Sequence, residues 1–105
     1  MQWLDDMHTI AARILESASV AGTEAAAFSY DCLTPETARR IVARGSDIVP
    51  DFADAAARVI AAAELGILDS NDLRGTRIAK LAEEAWSSAF RAAWPAEDVA
   101  ALAAS

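Results

Sequence analysis

Apolar residues recur at three- and four-residue intervals along most of this chain. Trp3, Leu4, Met7, Ile10, Ala11, Ile14 and Ala18 share one face of a helix opening near Asp5 and Asp6, with Arg13 and Glu16 opposite. Gly22 is placed to stop that helix as a C′ residue. Residues 23–33, "TEAAAFSYDCL", allow two readings: a short helix capped by Thr23 and carrying Phe28 and Cys32, or an irregular link. "TPETARRIVARG" is a complete helix in miniature. Thr34 is its N-cap, Pro35 its first residue, Glu36 lies in the first turn and Gly45 is the stop. Ala38, Ile41 and Val42 face inward, and Glu36 and Arg40 are spaced to pair.

Pro50 opens the next helix, because a proline further in would remove a backbone hydrogen bond. Its expected inner stripe is Phe52, Ala56, Val59, Ile60 and Ala63, with Asp54 and Arg58 paired on the outer side. Gly66 ends it. The following helix is expected from Ser70 or Asp72 to Trp94, burying Ile78, Leu81, Ala82, Ala85, Ala89 and Ala93. Trp86, Phe90 and Trp94 follow at four-residue intervals along one flank. Pro95 stops that helix and starts a short terminal one. The pattern predicts a single all-α domain spanning 1–105, a compact bundle of four to five helices with short connections marked by glycine and proline.

Composition sharpens this picture. Alanine makes up about a quarter of the 105 residues, and β-branched and aromatic residues are too scattered to build strands. The length suffices for one core without disulfides or metals. Residues 11–22 echo residues 56–66, but shared alanine-rich composition accounts for the echo without duplication. The N-terminus is acidic and lacks the basic and apolar regions of a secretory signal. No run of about 20 apolar residues exists to span a membrane. The lone Cys32 fits a reducing compartment, so a cytoplasmic protein is expected.

Catalytic chemistry finds little footing. His8 and Cys32 are each the sole residue of their type, so no zinc pattern is present. His8 is expected to pack partly buried beside the first helix's apolar face. The acids cluster where helices begin (Asp5, Asp6, Glu36, Asp47, Asp51, Asp69, Asp72, Glu97 and Asp98), where they cap N–H groups and oppose the helix dipole. Glu83 and Glu84 are adjacent and point apart, unlike the spaced acids of helical magnesium sites. No nucleophile elbow or phosphate loop occurs. No cofactor and no enzyme activity are expected.

Residues 63–80, "AELGILDSNDLRGTRIAK", raise two further possibilities. A calcium loop starting at Asp69 would place Leu73, Arg74 and Lys80 at its fifth, sixth and twelfth positions, which excludes it. A helix-turn-helix over 53–80 would put Asn71 and Asp72 where an aliphatic anchor belongs. Its DNA contacts would be Arg74, Arg77 and Lys80, with Arg39, Arg40 and Arg44 if the fold joins the two groups. The formal net charge of −7 opposes such a partner. In the simplest reading Gly66 stops one helix, Ile67 and Leu68 plug the corner, and Asp69 to Asp72 cap the next. Gly75 then implies either a later helix start or a close backbone approach.

Three tryptophans in so short a chain are the remaining signal. Trp86, Phe90 and Trp94, with Trp3, either fill the core opposite alanines or form an interface. The expectation carried forward is an acidic, non-enzymatic interaction or regulatory module, a homo-oligomer associating through that aromatic flank. A DNA-binding regulator is the alternative.

Overall fold

Gly22 does not stop the first helix. In the computed structural model, which describes residues 2–45 and 47–105 and their side chains apart from those of 2–5, α1 runs unbroken from Gln2 to Asp31. The Thr23 hydroxyl donates to the Ser19 carbonyl within the helix instead of capping a new one. Ala25, Ala26 and Ala27 then carry the helix on, as good helix formers do. Gly22 has another task. It is buried, and a Cβ there would collide with the Trp86 carbonyl and press on Ala89. Its missing side chain is what lets α1 lie against its neighbour.

Four more helices follow: α2 (Pro35–Arg44), α3 (Ala53–Leu65), α4 (Arg77–Ala93) and α5 (Ala96–Ala103). The expected all-α bundle is present, and no strand occurs among the described residues. It is drawn out to 57 × 22 × 19 Å, because 30 helical residues of α1 rise about 45 Å. Local chemistry sets most boundaries. Thr34 caps α2 by accepting from the Thr37 N–H at 3.2 Å, Pro35 is its first residue, and Gly45 ends it. Glu36–Arg40 and Asp54–Arg58 pair one turn apart, at 2.8 and 3.1 Å.

α1, α3 and α4 form the core. Gly22 lies on Trp86, and Ile14 shares a cleft with Ile78, so α1 and α4 run in the same direction. α3 runs against both, its start beside Trp86 through Phe52 and its end beside Ser17 through Glu64. α2 packs on α5 beyond the C-terminal end of α4.

The inner faces of α3 and α4 differ from expectation. α3 buries Ala53, Ala57, Ala61 and Ala62, whereas Phe52 and Val59 are each 57% exposed and Ala63 is exposed. Nearly every position of α3 is apolar, so periodicity could not orient it. The bulk across from it did: Trp86 and Phe90 need the room that only alanine leaves. α4 buries Ala79, Ala82, Trp86, Ser87 and Phe90. It lies between two neighbours, so it presents an alanine face to α1 and an aromatic face to α3. Leu81, expected inside, is outward.

The corner between α3 and α4 also departs from expectation. Gly66 closes α3 with φ 71°, and the Ile67 N–H bonds back to the Ala62 carbonyl. Ile67 packs on the core, but Leu68 is fully exposed, and Leu73 is the buried plug. Asp69 caps a single 3-10 turn, Ser70–Leu73, by accepting from the Asn71 N–H. Gly75 then takes φ 76°, and Thr76 caps α4 by accepting from the Ala79 N–H. Nothing approaches the Cβ position of Gly75, so it marks the later helix start.

Arg91 near the end of α4 donates to Asp47 at 2.6 and 3.3 Å, tying α4 to the α2–α3 loop. These bonds first, and the Val49 N–H next, hold the Asp47 carboxyl below its ordinary range. A depressed carboxyl contributes stability fully above the unfolded pKa and loses it as pH falls through the folded value. Asp47→Asn is therefore expected to lower the urea midpoint at neutral pH, with the gap to wild type closing in acid. A gap that persists unchanged below the carboxylate range would exclude this ion pair as the cause.

Candidate functional site

The aromatic flank lies largely inside the molecule. Trp86 and Phe90 are each 2% exposed, stacked with ring centroids 5.4 Å apart and 13° between planes. Phe90 stacks in turn on Trp94 at 5.6 Å, and Phe52 meets Trp86 edge-on at 5.9 Å. Trp94 is half-buried, on the wall of a hollow of about 230 Å³ with Ile41, Val49 and Pro50. The expected interface is thus corrected: Trp86 and Phe90 are consumed by the chain's own core. The reason is the alanine surface of α3, which supplies the complementary small side chains. The side chain of Trp3 lies outside the described residues.

The basic residues fall into two groups that the fold keeps apart. Arg39, Arg40 and Arg44 sit on α2, beyond the C-terminal end of α4. Arg74, Arg77 and Lys80 sit at the N-terminal end of α4, whose 17 residues span about 25 Å. Arg39 donates to the Ser105 carbonyl at 3.4 Å and Arg40 to Glu36 at 2.8 Å. The α3–α4 connection, residues 66–76, is longer than the three- to four-residue turn of a helix-turn-helix.

An open groove of about 500 Å³ lies along the start of α4, lined by Arg58, Arg77 and Lys80 together with Asp54 and Glu83. Three cations face two carboxylates, so its field is nearly balanced. Arg58 is held by Asp54, whose carboxyl it keeps below the ordinary range, and the Arg58 Nε is buried without a partner.

Two of the groupings weighed from the sequence can be checked against the fold among the described residues. No cluster of three histidine, cysteine or acidic side chains is placed to hold a metal. His8 is exposed, not packed as expected, because the bundle ends before it. His8 and Cys32 lie 24 residues apart near opposite ends of one helix, about 36 Å. At that separation the Cys32 thiol and the His8 imidazole cannot act together as a nucleophile and its base. No described helix is long and apolar enough to cross a membrane.

A different surface emerges where α1 outruns its neighbours. Met7, Ile10, Ala11 and Ile14 on α1, Leu65 at the end of α3 and Ile78 at the start of α4 line an apolar cleft of about 250 Å³. Ile14 is fully buried at its floor, Ile10 is half-buried, and Met7 is 56% exposed. Above Ile10 the apolar stripe of α1 continues, but α3 and α4 have ended. From the sequence, Met7, Ile10, Ala11 and Ile14 share the apolar face of the first helix and Ile78 belongs to the inner face of α4. The missed signal was one of lengths: a helix of 30 residues packs on helices of 13 and 17, so part of its apolar face is left without cover. Comparison with protein-family models, curated proteins and solved structures finds no match for this chain.

Proposed function

We propose that the chain is an acidic, non-enzymatic interaction module of the cytoplasm, regulatory in kind, which associates with itself through the apolar cleft at the free end of α1. The observation that carries this reading is Met7, 56% exposed on a stripe of apolar residues that the bundle leaves uncovered. A methionine there is a flexible, polarisable contact residue, suited to a surface that meets another protein. The surrounding molecule supports the reading: Trp86 and Phe90 serve the core, Glu36, Asp54 and Asp47 serve ion pairs, and the cleft gathers apolar side chains from three helices at one end of the bundle.

The whole chain is expected to form dimers at tens of micromolar in light scattering after size exclusion. Met7→Lys is expected to leave helicity by circular dichroism unchanged and to yield a monomer. A wild-type chain that stays monomeric at several hundred micromolar would falsify the self-association.

A further inference from the structure

The projecting end of α1 carries its own charge complement. Met7, Ile10 and Ile14 follow the alternating three- and four-residue spacing of a helix seam. Asp6 and Arg13 immediately precede Met7 and Ile14, one heptad apart, and therefore stand on the same flank of that seam. Both are exposed, and neither forms an ion pair among the described residues. The other flank carries Ala11, which has no charge.

Resting on the self-association proposed above, we infer that the occupant of the cleft is a second copy, paired antiparallel along residues 6–14. Antiparallel helices set like flanks against each other. With Met7 of one copy opposite Ile10 of the other, the same register sets Asp6 of each copy against Arg13 of the other. Two ion pairs related by a two-fold axis result, as an isologous interface requires. Parallel pairing would set the charged flank against that of Ala11 and leave both charges unpaired. Ile14 is already covered by its own chain, so the contact layers are Met7 on Ile10 and Ile10 on Met7, with each incoming helix abutting Leu65 and Ile78. Net repulsion between two chains of −7 acts over distances that physiological salt screens, whereas adjacent charges at the seam are screened least. The overlap is short, so the dimer is weak, below the size of a standard stable interface.

Sedimentation equilibrium on the whole chain tests the register by charge reversal. Asp6→Arg and Arg13→Asp each replace two attractive contacts by two repulsive ones, and each is expected to weaken dimerisation about tenfold. An equimolar mixture of the two variants is expected to regain wild-type association, because the cations of one then face the carboxylates of the other. So is the double variant. Dimers indifferent to both reversals would overturn the antiparallel register while leaving self-association intact. A monomeric wild-type chain would overturn both. A monomer that binds a basic amphipathic peptide at Met7 would do the same, assigning the cleft to a foreign partner.

Discussion

Truncating Trp86 to alanine is expected to cost about 3–5 kcal/mol of folding stability. The ring is 2% exposed and stands at the centre of the bundle, stacked on Phe90 and met edge-on by Phe52. Ala53 and Ala57 of α3 share its core cluster, and alanines cannot expand into the vacated space. The cavity would stay open, and the cavity term would add to the lost transfer free energy. Against the roughly 5–15 kcal/mol that holds a typical domain together, this is a large share. The thermal midpoint is expected to fall on the order of 20 °C. Trp94→Ala, at a half-buried site, is expected to fall much less. Equal losses at the two positions in a urea titration would show that Trp86 has no special place in the core.

Gly22→Ala is the second large effect, and its sign separates local from tertiary reasoning. Inside an exposed helix the change would gain about 1 kcal/mol from propensity. Here the new methyl group meets the Trp86 carbonyl. A backbone oxygen cannot swing aside as a side chain can, so α1 and α4 must separate over their shared length. Overpacking of this kind costs about 1–3 kcal/mol, occasionally more, and the net expectation is destabilisation of about 2 kcal/mol, larger for Gly22→Val. Chemical denaturation followed by circular dichroism measures it. A stabilised Gly22→Ala protein would mean that α1 does not lie on that carbonyl.

The helix ends were legible where their chemistry is local. Thr34, Pro35 and Gly45 frame α2 as read, and Pro95 separates α4 from α5, because capping, ring closure and positive φ are decided within a few residues. Gly66 ends α3 for the same reason. Gly22 was misread because a glycine that ends a helix and one that admits a neighbouring backbone look alike in a string of letters. The face of α3 was misread because an almost wholly apolar helix has no face until something packs on it. Neither the buried fate of Trp86 and Phe90 nor the open fate of Met7 was fixed by residue type. Each followed from where the other helices stopped.

By itself, then, the amino-acid sequence determined the class of the fold, most helix boundaries, the i,i+4 ion pairs and the absence of recognisable catalytic motifs. All of these rest on composition and on interactions spanning about one helical turn. Only the tertiary structure decided which apolar side chains became core and which remained surface. That choice depends on the relative lengths and directions of α1, α3 and α4. It consumed the aromatic flank, kept the two groups of basic residues at opposite ends of α4, and left the seam of α1 between Asp6 and Arg13 open.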